Sequence, residues 1–429
     1  MRTVSAPAPT RLQWPVWRVL LPIGVGTALS LMGDTAMYAV LNTHLAEAGV
    51  TLTHVGVLLS ANRWIRLLLN GPAGLLYDRW PRRWFFVGAL LLGTLSTAFY
   101  GWTQGFWPLL AGRLLWGAAW SGIWVGGNII ILDVTRADDR GRWTGLYQLS
   151  FYLGGALGFP LGGFLTDLLG FHAAMRVATV ITGVGAVFAL LLLPETRRAH
   201  PVEPVAEPLD AGDRGPTPLP ADARAPAQAA TMNARTGLAA ATLLYGSNRF
   251  VTAGVLTASL GLAIAAGWGD TRLNNGVIVG IATLTGLLLG ANTLISMFAA
   301  PLAGLWSDRL RNRWRVVALG LLPGVVGFAL LSTGHPVGLV CGVVLVAIAG
   351  GSSQSLATTL LGDVTAGARR GRALSVMHTF GDLCSAVAPL LVVAALPLVG
   401  LTVIYIVCAG LLVVLLLWTL RLAVVYRPL

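Results

Sequence analysis

Lysine is absent from this 429-residue chain, so all 29 of its basic residues are arginine. Charge of either sign is scarce, at 11% of residues, against 55% apolar. A soluble domain carries roughly 25% charged residues, and a single water-soluble core does not need so much apolar surface. Only three cysteines occur, Cys341, Cys384 and Cys408, all inside apolar stretches. They offer neither a disulfide framework nor metal-ligand spacing, and read as small packing residues. No HExxH or GxSxG segment is present, and no nucleophile stands near a base at usable spacing. These shortages exclude an enzyme, a metal site and a bound cofactor as expectations. The net charge of +12 does not indicate nucleic-acid binding, because the arginines fall in bursts between apolar runs. That is the pattern the positive-inside rule gives to cytoplasmic loops.

What the chain has in abundance is apolar stretches of about twenty residues, long enough to cross ~30 Å of hydrocarbon. Six fall at 17–43, 54–76, 84–103, 107–132, 144–169 and 173–194, and six more at 248–268, 277–305, 315–333, 336–361, 372–397 and 400–420. The first carries an Asp and lacks a small-residue cleavage site, so it reads as a spanning helix rather than a signal peptide. The expected organisation is a cytoplasmic segment 1–16, a six-helix bundle 17–194, a Pro- and Ala-rich linker 195–247, a second bundle 248–421 and a tail 422–429. Arginine bursts at 79–83, 136–142, 309–315 and 369–372 share one side with the linker. Both termini are therefore expected in the cytoplasm, with the chain in a cell (inner) membrane and the lipid bilayer around it. Asp270 and Arg272 would lie at the opposite interface as a gate pair.

An internal repeat sets the architecture. Residues 58–79 match 288–309 at 10 of 22 positions, and 132–142 match 362–372 at 6 of 11, both at an offset of 230. Two polar loop motifs at one offset point to two six-helix halves in the same orientation, related by an axis along the membrane normal. The fold class is all-α integral membrane, with twelve helices in two pseudo-symmetric bundles.

These motifs carry a family resemblance over the whole chain apart from the linker. The loop Gly74-Leu-Leu-Tyr-Asp78-Arg79-Trp-Pro-Arg82-Arg83 is similar to the G-x-x-x-D-R-x-G-R-R signature of the major facilitator superfamily, with Pro81 in place of a glycine. Gly304 to Arg309, which includes Asp308, resembles its second copy, and Arg113-Leu-Leu-Trp-Gly117 resembles the R-x-x-x-G element. Gly145, Gly154, Gly158, Pro160, Gly162 and Gly163 resemble an element of the family's proton-linked exporters, with one extra residue before the proline. The resemblance implies a monomeric transporter working by alternating access on a small-molecule substrate and protons. It also implies a conformational latch among Asp78, Arg79, Arg82, Arg83, Asp133 and Arg142, with Asp308, Arg309 and Asp363 in the second half. Asp133 has Arg79, Arg82 and Arg142 as its available partners.

Ionisable residues inside a membrane cost on the order of 3 kcal/mol each and are functional candidates. Ser30, Asp34, Tyr38 and Asn42 repeat every four residues, a stripe expected to face the central cavity. Asp34 is the first candidate for proton coupling, with Arg63 or Arg66 as its partner, leaving the other for Asp167, for an anionic substrate group or for a lipid headgroup. His378 and Asp382, four apart, make a second proton candidate. Asn62 and Arg66 share a face with Asn70, and their repeat mates are Asn292 and Ser296. Arg113, Trp116, Trp120 and Trp124 line one face of helix 4 as an aromatic wall beside a cation. With Gln148, these make the expected substrate surface. The reading that follows is a proton-coupled antiporter exporting a small amphipathic compound. Two others stand beside it: a transporter of an organic anion clamped by Arg63, Arg66 and Arg113, and a lipid or lysolipid translocase.

Overall fold

The computed structural model describes residues 14–136, 139–197, 234–268, 271–272, 278–310, 312–365 and 370–425. Six long helices come first: α1 (Val16–Val40), α2 (Leu52–Arg79), α3 (Arg82–Trp102), α4 (Phe106–Val134), α5 (Arg140–Leu169) and α6 (Phe171–Leu192). The second six begin with α7, three continuous pieces: Ala234–Asn248, a π-helical stretch Arg249–Leu256, and Thr257–Gly267. Then come α8 (Ile281–Leu310), α9 (Arg313–Leu331) and α10 (Pro336–Val364). The run Arg370–Val425 is two helices parted at Gly400, whose φ of 72° is the left-handed conformation that glycine tolerates. We number its parts α11 and α12.

Ten runs are long and apolar enough to cross a membrane, the 371–425 run counting once. The exception is α2, where Arg63, Arg66 and Arg79 lower the mean hydropathy. With α2 added and the last run divided, the twelve expected spans are all present. A four-residue helical turn, Leu45–Ala48, and a two-residue ladder pairing Thr271–Arg272 with Ile278–Val279 lie in connections on the arginine-poor face. The side chains of Asp270 and Arg272 lie outside the described residues, as do residues 1–13 and 426–429.

One boundary needs correction. The linker was expected to run to 247, yet α7 begins at Ala234. Residues 234–248 (ARTGLAAATLLYGSN) are rich in alanine and leucine, the strongest helix formers, and the break in composition falls before them. Residues 198–233 lie outside the described residues.

The repeat is visible in the packing. α4 packs against both α2 and α3, and α10 packs in the same way against α8 and α9. Two seams join the halves, α2 against α11 and α5 against α8. Their close approaches lie towards the arginine-poor face. There the Asn42 side-chain amide donates to the Ala258 carbonyl at 2.7 Å, and the Thr283 amide donates to Asp167 at 2.6 Å. A Cβ on Gly56 would stand 3.1 Å from the Pro389 carbonyl oxygen. The contact between Tyr152 and Gln354, 3.5 Å apart, lies deeper. The halves are thus drawn together on the face away from the arginine-rich loops.

Candidate functional site

The centre of the molecule holds two ion pairs of different kinds. The first is internal to the N-terminal half. The Nη1 of fully buried Arg113 donates to Asp34 at 2.5 Å, and its Nε donates to the Leu58 carbonyl at 2.9 Å. Tyr38 lies between the guanidinium groups of Arg113 and Arg63, 4.6 and 5.2 Å from its ring centre. Its hydroxyl donates to Asn62 Oδ1 at 3.2 Å. Asp34 is therefore paired with Arg113, in place of the Arg63 or Arg66 that spacing suggested.

The polar stripe of α1 does not face the cavity either. Ser30 lies against Gly93 of α3, Asp34 meets α4, Tyr38 meets α2, and Asn42 meets α7. Each four-residue step overshoots a turn by roughly 40°, so the stripe winds across successive neighbours.

The second pair crosses between the halves. Arg66 Nη2 reaches both oxygens of Asp382, at 3.1 and 3.0 Å. Arg249 of α7 approaches the same carboxylate from the other half at 3.9 Å. Arg63 also crosses, donating to the Ser385 carbonyl at 2.8 Å and to the Ala253 carbonyl at 2.7 Å. The buried Nε atoms of Arg66 and Arg249 have no hydrogen-bond partner. Four guanidinium groups thus share this layer with two carboxylates among the described residues: Arg113 pairs with Asp34, Arg66 and Arg249 share Asp382, and Arg63 hydrogen-bonds to backbone carbonyls.

His378 is not bonded to Asp382. Its Nδ1 pairs with the Tyr245 hydroxyl at 3.0 Å, while Asp382 turns to the arginines. Asn292 is likewise structural in its contacts, donating to the Val343 carbonyl of α10 at 3.2 Å. Among the described residues, Asp167 receives the Thr283 amide and no arginine. Gln148 is exposed, on the α5 face that carries Tyr152 one turn further on.

The tryptophans of α4 form a continuous ladder. Trp116 and Trp120 ring centres are 6.0 Å apart, Trp120 and Trp124 6.2 Å. Phe151 of α5 closes against both Trp120 and Trp124, at 5.6 and 5.1 Å. Trp116 is buried in the half, Trp124 and Phe151 are half-buried, and Arg66 lies 5.9 Å over the Trp120 ring. The wall expected beside Arg113 therefore stands beside Arg66.

The latch residues close on the arginine-rich face. Arg82 Nε donates to Asp133 at 3.2 Å, with Asp78 at 4.0 Å from Nη1. The second half repeats this with Arg313, whose Nε is 2.8 Å from Asp363 and whose Nη2 is 3.9 Å from Asp308. Asp78 precedes its arginine by four residues and Asp308 by five, so the repeat offset alone does not find Arg313. Arg309 had been the expected member. Arg79 contributes its carbonyl, which accepts from Arg197 at 2.5 Å, and Arg83 donates to the Leu190 carbonyl at 2.6 Å. Arg142 lies over Trp143. Sequence reasoning also missed Glu195, whose carboxylate accepts the Arg82 and Arg83 amides at the start of α3, at 3.0 and 3.2 Å. A carboxylate at a helix N-terminus is favoured by the free amides there. Gly74 has room for a Cβ, its nearest neighbour being 4.0 Å away.

The glycines of α5 divide between two faces. A Cβ on Gly154 would stand 2.6 Å from the Ala28 carbonyl oxygen, one on Gly158 2.6 Å from Met32 Cα, and one on Gly162 2.5 Å from Ala36 Cα. All three serve the packing of α1. Gly163 instead faces the other half, where a Cβ would stand 2.6 Å from the Ala282 carbonyl carbon and 3.0 Å from Thr283 Cα. Pro160 shares that face, lying against Gly290 of α8.

Several known proteins are similar to this chain. The class C tetracycline resistance protein of Escherichia coli is 30% identical over 167 residues, 39% of this chain and 38% of that protein. Citrate exporter 1 of Aspergillus niger is 26% identical over 162 residues, 37% of this chain and 29% of that protein. The chain thus spans less than two fifths of the length of either relative. Among solved structures, a bacterial homologue of the human lysosomal transporter Spinster, inward-facing and occupied, matches 95% of both chains with a TM-score of 0.68 at 16% identity. The human organic anion transporter MFSD10 matches 95% of this chain and all of its own, with a TM-score of 0.62 at 19% identity. These two likenesses concern the fold. The model of the Major Facilitator Superfamily matches residues 23–286 and 238–429, and with twelve helices in two repeated halves the chain belongs to that family of membrane transporters.

Proposed function

We propose that this transporter exports a small amphipathic compound bearing an anionic group, in exchange for protons. The observation that carries the reading is the excess of guanidinium at the seam, where Arg66 and Arg249 share Asp382 and Arg63 binds backbone carbonyls with no carboxylate beside it among the described residues. Arginine keeps its charge, and each uncompensated charge at this depth costs on the order of 3 kcal/mol. A substrate anion offsets that cost. Export is supported by the names of similar proteins, a tetracycline resistance protein and a citrate exporter among them.

On this reading the arginine-rich face is cytoplasmic, both termini lie there, and the protein works as a monomer in the inner membrane. With the halves drawn together on the far face, the cavity opens to the cytoplasm. An incoming anion takes Arg66 from Asp382 and releases the seam. Opening outwards parts α2 from α11 and exposes Asp382, which takes up a proton. On return, Arg66 reclaims the carboxylate and the proton leaves to the cytoplasm. Asp382, held from both halves, thus takes the coupling role first given to Asp34, whose partner lies within its own half. His378 stays beside the path, bonded to Tyr245.

The test is proton movement in proteoliposomes holding a pH dye. Organic anions should drive proton flux that Asp382→Asn abolishes and Asp34→Asn leaves coupled. Flux with lipophilic cations and none with anions sinks the reading. So does lysolipid movement that needs no gradient.

A further inference from the structure

We infer that the substrate carries a planar aromatic ring joined closely to its anionic group: a small aryl carboxylate received between Arg66 and the Trp120–Trp124–Phe151 surface. The inference rests on the anion reading above and adds the half of the substrate that charge does not specify.

Three observations lead to it. The aromatic surface and the cationic site touch, because the Arg66 guanidinium carbon lies 5.9 Å from the Trp120 ring centre. The same guanidinium holds the seam carboxylate at 3.0 Å while its Nε, like that of Arg249, is buried without a partner. The ladder also reaches the seam from a second side, since Phe151 packs on Trp120 and Trp124 while its neighbour Tyr152 meets Gln354 of the other half.

The distance selects the ligand. A ring seated against Trp120 lies about one ring-stacking distance from the position its anion must occupy at Arg66. A carboxylate bonded directly to the ring, or one carbon removed, spans that gap; a long flexible chain does not. Stacking favours flat rings over saturated ones of equal size, because an indole offers a π-face and its quadrupole as well as apolar area. Arg66 already polarises one indole, so the anion and the ring are read by one connected unit. When the anion draws Arg66 from Asp382, the ring takes the place of the guanidinium over Trp120. The same step that recognises the ring therefore unlocks the seam.

The experiment is calorimetric binding to the purified full-length protein, with four probes: naphthoate, benzoate, cyclohexanecarboxylate and naphthylmethylammonium. Benzoate and cyclohexanecarboxylate share size and charge and differ in planarity. The expected result is benzoate binding about 10-fold more tightly than cyclohexanecarboxylate, naphthoate tighter again, and the ammonium not at all. In Trp120→Leu the benzoate preference should fall to within about 3-fold, while cyclohexanecarboxylate affinity holds. Arg66→Gln should weaken both acids together. Equal binding of benzoate and cyclohexanecarboxylate to the unaltered protein overturns the ring inference and leaves the anion reading standing. Binding of the ammonium with neither acid overturns both. The comparison on the unaltered protein decides the matter even where a variant fails to fold.

Discussion

Replacing Gly163 by alanine should shift the conformational balance of the transporter without damaging its fold. In the closed seam the new Cβ would stand 2.6 Å from the Ala282 carbonyl carbon and 3.0 Å from Thr283 Cα. Both are backbone atoms of the other half, so no side chain can rotate away. Overpacking of this kind costs ~1–3 kcal/mol, and here the cost falls only on the conformer in which α5 and α8 touch. Separating the halves on the arginine-poor face removes it. Taking ~2 kcal/mol, the ratio of conformers shifts roughly 30-fold towards the state open on that face. Gly162 is the control. Its Cβ would strike Ala36 Cα at 2.5 Å, inside its own half, so the penalty applies to both conformers and should lower the melting temperature instead. The assay is thiol labelling of a cysteine introduced at Thr43, which packs against Gly261 across the seam, with the three native cysteines replaced. Labelling by an impermeant maleimide from the arginine-poor face should rise about 30-fold in Gly163→Ala and hold steady in Gly162→Ala. Unchanged labelling in a folded Gly163→Ala protein, or an equal rise in both variants, would refute the reasoning.

Three further outcomes follow from the contacts. Arg313→Gln should impair transport as Arg82→Gln does, since each arginine ties the aspartate ending α10 or α4, whereas Arg309→Gln should lower the initial flux less than about 2-fold; flux in vesicles distinguishes them. Asp34→Leu should destabilise the protein by ~3–5 kcal/mol, because it strands a fully buried guanidinium, and Asp34→Leu with Arg113→Leu should recover much of the loss; thermal unfolding in detergent measures both, and additive losses would overturn the pairing. Glu195→Gln should cost ~1 kcal/mol by weakening the carboxylate cap on the Arg82 and Arg83 amides, seen as a lower melting temperature that Arg197→Gln does not reproduce.

The α7 boundary shows how a small misreading of the sequence hides a site residue. With the helix begun at 248, Arg249 falls at its very end and is not among the candidate residues. With the helix begun at Ala234, Arg249 lies in mid-span and meets Asp382. Hydropathy windows respond to lipid-facing apolar residues, and an alanine-rich helical turn before them leaves little signal. Arg313 was hidden for a different reason, a single inserted residue that breaks the repeat offset while conserving the contact.

Sequence by itself determined the membrane location, the number of spans, the repeat and the two faces, because each is set by composition and period along the chain. It also determined that charge would sit in the membrane, and most of the residues that carry it. Tertiary structure alone decided how those charges pair. Asp34 of α1 found Arg113 on α4, Asp382 found Arg66 and Arg249 from both halves, and His378 found Tyr245. A helix repeats its faces every 3.6 residues, so spacing says which residues share a face and not which neighbour that face meets. The neighbour is fixed by how twelve helices pack, and α5 shows the limit: its adjacent glycines Gly162 and Gly163 read alike in sequence, and one serves its own half while the other meets the opposite half.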